Sequence, residues 1–511
     1  MGKYIKIYIW QLVSILLNFG SVFIVTPFIS SNKAFYGIYT IVVSAYLFIS
    51  YADFGFLSAG MKYAAEHYAQ KDEEEEVKVI GFSGAVFLTF VSLYALLILV
   101  LAYNPSFLIK NLSDQSELVT ARNMFIILAF SCPILVFQRI IQIIYGIRLL
   151  DYKFQRVLII SNIIKICSTV IFFSNGKYMI VEYFLFSQIC LLVSVIVGGV
   201  MLKFSLNYNV QLLLRSLRFS RRIYNKTKKL AFTSIFLTIS WILYYELDPF
   251  AIGKLLGTTQ VAIYAIGLTV ISYFRSLFGI LFTPFIARFN HFIGLNDKDG
   301  LRAFFLKVTT LFFPVTVFPV LIVLLTVKSF ILTWVGVAYV PSIAIVQILV
   351  ACYLFSFITY PSGILIMANE SVRALYFTSS LQPIIFWVGV IITYPTLGLM
   401  SFAYFKLLAF FLETVVYTVI VCRFLNISIF KFLTAIIKPA LLPLVVILLL
   451  FFLSRDFQPL QTGKVFLAYY FGYVACFIGA GILCYYFTSI TFKTFVDKIL
   501  INAFKKKVQV S

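Results

Sequence analysis

Charge is scarce in this sequence: Asp, Glu, Lys and Arg make up 12% of its 511 residues, about half the roughly 25% of a soluble domain. That shortage excludes a water-soluble enzyme. Histidine is rarer still. His67 and His291 are the only two, both in predicted loops, which leaves little from which to build a His-based metal centre or a Ser-His triad. The seven cysteines (Cys132, Cys167, Cys190, Cys352, Cys422, Cys476 and Cys484) all fall inside apolar runs without a C-x-x-C spacing. They read as small packing residues, and not as disulfides or metal ligands. No G-x-x-x-x-G-K-[ST] run occurs, so ATP hydrolysis by a P-loop is not expected. Acids are the minority sign, 19 against 41 basic residues.

What the chain has in abundance is apolar length. Hydrophobic residues make up 62%, in runs long enough to cross about 30 Å of hydrocarbon as helices. Hydropathy, with turn residues and charges as punctuation, predicts helices over 7–29, 35–60, 79–103, 123–147, 157–173, 178–202, 231–252, 261–287, 303–327, 339–368, 374–394, 399–422, 432–453 and 465–490. The expected fold is an all-α polytopic membrane protein of about fourteen transmembrane helices. The first run is too long for a signal-peptide core and lacks a small-residue cleavage site, so it is expected to be retained. Of the aromatics, Trp10 and Trp334 are expected in interfacial belts, and some tyrosines could stack on sugar rings.

Basic loops resist translocation, and with the N-terminus inside, Lys and Arg favour the inner segments over the outer ones roughly fourfold. Both termini are therefore expected on the cytoplasmic side of a cytoplasmic membrane. The same distribution explains the net charge of +22 without nucleic acid, since anionic headgroups reward basic inner loops. The densest cluster, Lys203, Arg215, Arg218, Arg221, Arg222, Lys226, Lys228 and Lys229, reads as a linker on the inner membrane face. The acidic run 72–76 reads as a solvated loop tip.

A repeat is also present. Val25-Thr26-Pro27-Phe28-Ile29 is answered by Leu247-Asp248-Pro249-Phe250-Ala251, 222 residues on, Tyr39 by Tyr264 at 225, and His67 by His291 at 224. One near-constant offset predicts two six-helix lobes, 1–202 and 231–422, around a basic linker at 203–230, with two further helices and a basic tail over 423–511. Repeated halves rocking about a central cavity are one route to alternating access. Pro27 and Pro249, paired by the repeat, are the hinge candidates.

At this point the chain resembles the Wzx-type polysaccharide flippases, in the superfamily that also holds multidrug extrusion antiporters and the peptidoglycan lipid flippase. The resemblance rests on Phe35-Tyr36-Gly37-Ile38-Tyr39, Tyr51-Ala52-Asp53-Phe54-Gly55-Phe56, Asp248-Pro249-Phe250-Ala251-Ile252-Gly253-Lys254-Leu255-Leu256-Gly257 with Tyr264, and Gly363-Ile364-Leu365-Ile366-Met367-Ala368-Asn369. It implies a flippase carrying undecaprenyl-diphosphate-linked oligosaccharides, the repeat units of O-antigen lipopolysaccharide or capsule, to the outer leaflet of a bacterial inner membrane. A polysaccharide polymerase and a chain-length regulator are the implied partners, no cofactor is expected, and protons or sodium are the candidate coupling ions.

Ionised side chains at mid-bilayer are costly, so those that occur usually face a cavity or a partner. Arg139, Lys165, Arg275 and Lys406 lie deep in predicted spans, and a cationic lumen would compensate a diphosphate. Arg275 leads this set, because the resemblance implies a cavity lined by its helix. Gln138 and Gln142 make the Arg139 surroundings polar. Arg122 and Lys307 sit at helix ends, where snorkelling accounts for them. Asp248 and Glu413 are the ion-coupling candidates. Asp53, on a helical face with Tyr39, Tyr46 and Ser50, is a third, or else a structural partner of an arginine. Two other readings stay open: a multidrug cation antiporter, and a membrane polymerase or glycosyltransferase using Asp114 and Glu117 of the longest predicted outer loop.

Overall fold

The computed structural model describes residues 2–49, 51, 55–110, 112, 114–369 and 372–508, and among them every regular element is a helix. Hydrocarbon imposes this, since each backbone N–H and C=O must be satisfied within its own segment. Contacts divide the chain into two compact units, one ending at Ala265 and the other beginning at Ile266.

The first unit contains α1 (Gly2–Ile29), α2 (Lys33–Ile49), α3 (Phe56–Ala69), α4 (Glu73–Tyr103), α5 (Gln115–Ile147), α6 (Asp151–Phe173), α7 (Ile180–Ser205), α8 (Val210–Arg215), α9 (Arg221–Tyr245) and α10 (Asp248–Leu256). It ends within α11 (Thr258–Phe282). The second continues through α12 (Phe285–Gly294), α13 (Lys298–Trp334), α14 (Ser342–Ala351), α15 (Ser356–Ala368), α16 (Val372–Leu397), α17 (Leu399–Phe424), α18 (Ile429–Leu453), α19 (Lys464–Thr488) and α20 (Ile490–Val508).

Among the described residues, twelve helices are long and apolar enough to cross a membrane, or thirteen when α9 and α10, bent by 42° at their junction, count as one span. The shorter α2 is a further apolar helix of 17 residues. Each of the fourteen predicted runs falls on one of these helices or on a broken pair, and the chain is a multi-pass membrane protein. The run over 35–60 is one of the broken ones. Its α2 ends at Ile49, and α3 begins after Gly55, whose φ of 75° suits a residue without a side chain. Asp53 lies outside the described residues.

Two polar segments carry more structure than a loop or linker requires. The acidic run is solvated over Asp72, Glu73 and Glu74 but is a helix start as well: Asp72 caps α4 by accepting from the Glu75 N–H at 3.2 Å, and the glutamates form its first turn, where the helix dipole favours negative charge. Glu76 is fully buried and pairs in two-pronged fashion with Arg148, at 2.7 and 3.0 Å. The guanidinium also lies 4.7 Å from the Tyr68 ring and 4.9 Å from the Tyr208 ring, so its faces are covered as well as its edge. The basic segment between α7 and α9 is equally structured. It forms α8, opens α9, and packs on α3 and α4, with Arg222 paired to Glu75. Trp334 is likewise buried and not in an interfacial belt, stacked on Phe330 with ring centroids 5.2 Å apart.

In the second unit, prolines leave carbonyls without a helical donor, and α19 supplies hydroxyls to them. Pro314 frees the Thr310 carbonyl, which accepts from Tyr485 at 3.0 Å, and Pro443 frees the Pro439 carbonyl, which accepts from Thr488 at 2.6 Å. Thr326 and Tyr470 share a third bond of 2.8 Å between α13 and α19.

Candidate functional site

A connected polar group inside a span belongs to the second unit. Glu413 of α17 is 7% exposed, and neutral donors hold its carboxylate. Gln382 of α16 donates its Nε2 to Oε2 at 2.7 Å, and the Tyr417 hydroxyl, one turn along α17, donates to the same carboxylate. Thr378, one turn before Gln382, is in hydrogen-bond contact with Tyr417 and donates to the Ala374 carbonyl at 2.9 Å. The spacing of four on both helices is what places each pair on one face.

From α15, the Tyr360 hydroxyl donates to the backbone carbonyl of Arg275 at 3.1 Å. It lies within electrostatic reach of both the Arg275 guanidinium and the Glu413 carboxylate. The structure thereby brings Arg275 and Glu413, expected separately as substrate and ion residues, around one phenol. Lys406 lies on the same helix as Glu413. Two turns before Glu413 on α17, it is 2% exposed, with Nζ 5.0 Å from the Phe386 ring centroid.

The first unit distributes its candidates. Arg139 donates to Gln142 Oε1 at 3.4 Å and acts electrostatically on the Tyr46 hydroxyl of α2, whereas Lys165 is within electrostatic reach of Cys190 on α7. Asp248 is fully buried in the first turn of α10 and accepts from Tyr264 at 2.8 Å. Glu246, also buried, accepts from Tyr51 at 3.4 Å, and Tyr51 accepts from Trp241 Nε1 at 3.0 Å. Pro249 stands at the start of α10, where its missing N–H breaks no helical bond, just after the 42° bend. Pro27 is inside α1.

Two of the recognised motifs meet here. A Cβ on Gly37 would lie 2.0 Å from the Thr258 carbonyl oxygen, and one on Gly253 would lie 2.7 Å from Ile41. The Phe48 and Phe250 rings stand 5.2 Å apart. The glycines are thus where α2 and the chain around α10 approach each other closely.

The predicted outer loop offers little for catalysis. Asp114 caps α5, accepting from the Ser116 hydroxyl at 2.7 Å and its N–H at 3.1 Å. Those bonds hold its carboxyl below the usual range, and Glu117 is in the first turn of the same helix. Such residues serve a helix start. Among the described residues, no cluster of three or more His, Cys, Asp or Glu could hold a metal ion.

Sequence reasoning did not single out Gln382, Tyr417, Tyr360 or Thr378. A glutamine next to Pro383 inside an apolar run, and a tyrosine four residues after Glu413, were the available signals.

No family model and no curated protein sequence matches this chain. Solved structures do. The lipid II flippase MurJ, in an inward closed conformation, is similar with a TM-score of 0.67 at 15% identity, over 98% of this chain and 99% of that one. An inward-facing MATE-family multidrug-resistance transporter of the MOP superfamily gives 0.61 at 13%, over 83% and 98%. A MOP-superfamily transporter from Pyrococcus furiosus, described as having a binding pocket of reversed polarity, gives 0.56 at 14%, over 83% and 94%. Identities this low establish a shared fold.

Proposed function

We propose, from the fold this chain shares with membrane transporters, that it is a flippase for lipid-linked oligosaccharides. Its cargo on this reading is an undecaprenyl-diphosphate-linked repeat unit, moved from the inner to the outer leaflet of a bacterial cytoplasmic membrane by alternating access and delivered to a polysaccharide polymerase with its chain-length regulator. One observation carries the choice of cargo class. The match to a lipid flippase runs over 98% of the chain, while the match to a multidrug transporter covers 83%, a shortfall about as long as the segment after α17. That segment holds α18 and α19, the two further helices expected after the two six-helix lobes.

The sites follow from charge. Arg275 and, in the first unit, Arg139 with Gln142 would meet the diphosphate and sugar, because guanidinium groups bind phosphate oxygens in pairs. Glu413 would take the coupling proton or sodium ion. Its neutral donors stabilise a carboxylate without cancelling its charge, so a cation can come and go.

The test is transport of a defined lipid-linked oligosaccharide in vesicles, wild type beside Arg275→Ala. The reading expects flipping by the wild type and a loss of about tenfold or more in the variant. Wild-type protein that leaves the cargo on its original leaflet would refute it. The multidrug-antiporter reading is favoured by the second structural match and predicts instead that cells gain export of lipophilic cations.

A further inference from the structure

We propose that a cavity between α13, α18 and the α19–α20 junction seats an anionic phospholipid of the surrounding bilayer, its phosphate held by Lys307 and Lys438. The cavity has a volume of about 680 Å³, and its walls carry both lysines beside Leu306, Thr310, Ala435 and Ile490. Local geometry explains why it is there. Thr488 closes α19 by donating to the Pro439 carbonyl, Ser489 is extended at φ −110° and ψ 105°, and its hydroxyl accepts from the Phe492 N–H at 3.3 Å as α20 begins. This kink forms one wall, opposite helices that each present a lysine.

The cavity's electrostatics have one sign. Neither lysine makes an ion pair among the described residues. In sequence, α18 and α19 contain no acid, and α13 and α20 contain one each, Asp299 and Asp497. Asp497 is already engaged, accepting from Tyr486 at 2.6 Å. Two lysines facing one cavity without a carboxylate repel each other, and an anion between them removes that repulsion.

The apolar surface decides which anion. Ile437, Leu441, Phe487 and Ile490, on the helices that form the walls, are exposed, as befits side chains against acyl tails. A free phosphate would satisfy the lysines and leave Leu306, Ala435 and Ile490 of the lining unmatched, whereas a lipid with a phosphate headgroup fits both. Snorkelling explains how one lysine keeps its charge near the polar boundary; it does not explain two converging on a cavity. The lipid is a resident of the protein and not its cargo, so the site is independent of the transport reading.

Native mass spectrometry of the detergent-purified full chain, titrated with phosphatidylglycerol or phosphatidylcholine, tests this. The wild type is expected to retain phosphatidylglycerol about tenfold better than phosphatidylcholine. The double variant Lys307→Gln/Lys438→Gln should bring the two to parity. Lys307→Arg/Lys438→Arg, and Lys431→Gln on α18 outside the cavity, should keep the preference. If the glutamine double variant does not fold, each single glutamine variant should lower the preference about threefold. An unchanged preference in the glutamine variants overturns the proposal. So does displacement of phosphatidylglycerol by millimolar inorganic phosphate alone, which would mark a soluble-anion site.

Discussion

Glu76 in the first unit and Glu413 in the second are both buried glutamates on long apolar helices, yet their partners differ in kind. Glu76 has a two-pronged ion pair with Arg148. Glu413 has the amide of Gln382 and the hydroxyl of Tyr417. In the first case the charge is neutralised by a fixed cation, and any third charge would have to displace it. In the second the carboxyl is held by dipoles, without a salt bridge among the described residues. On the proposed reading, what separates an ion site from a structural pair is the formal charge of the partners and not burial.

The largest effect should come from breaking the fixed pair. Arg148→Ala leaves a buried carboxylate uncompensated, which destabilises by about 3–5 kcal/mol, read as a lowered thermal unfolding midpoint in detergent. A silent substitution would mean that the pair is not what holds α4 to α5. Next is Glu413→Gln. The amide oxygen can still accept from Gln382 and the NH2 can donate to the Tyr417 oxygen, so the unfolding midpoint should stay near wild type while transport falls about tenfold or more and loses its dependence on a cation gradient. A stability loss matching that of Arg148→Ala would erase the contrast between the two glutamates. Tyr417→Phe removes one donor to a charged acceptor, and about 1.5 kcal/mol of stability should go with it, measurable in the same unfolding assay. The smallest effect is expected of Arg222→Ala. Its pair with Glu75 is on the surface, the arginine being 73% exposed, and such pairs contribute about 0.2–1 kcal/mol. A loss as large as that of Arg148→Ala would show the basic segment to be anchored by charge and not by the packing of α8 and α9.

The span pattern was legible because each helix buries its own backbone bonds, so its apolar length is written in consecutive residues. Breaks were less so. The run over 35–60 contains no proline, and its interruption before Phe56 depends on Gly55 and its neighbours Ala231 and Ser234, which are far away in sequence. Among site residues, the depth of Arg275, Glu413 and Asp248 could be read from position within apolar runs. Their partners could not. Glu76 and Arg148 are 72 residues apart, and five acids in a row give no sign that the last of them turns inward. Gln382 looked like one polar residue in an apolar helix until α16 and α17 packed with a shared register of four.

The hydroxyls that α19 contributes to proline-freed carbonyls also bear on how the protein is made. A chain emerging into a membrane places α13 and α18 there before α19 exists, so the Thr310 and Pro439 carbonyls wait in hydrocarbon, poorly satisfied, for Tyr485 and Thr488. These two carbonyls are thus satisfied only when α19 arrives. Premature release would leave two polar groups open to lipid, a flaw that membrane quality control is suited to detect. The prolines of α13 and α18 and the hydroxyls of α19 form one heritable unit: losing a hydroxyl should be tolerated best in a lineage that has already lost the matching proline.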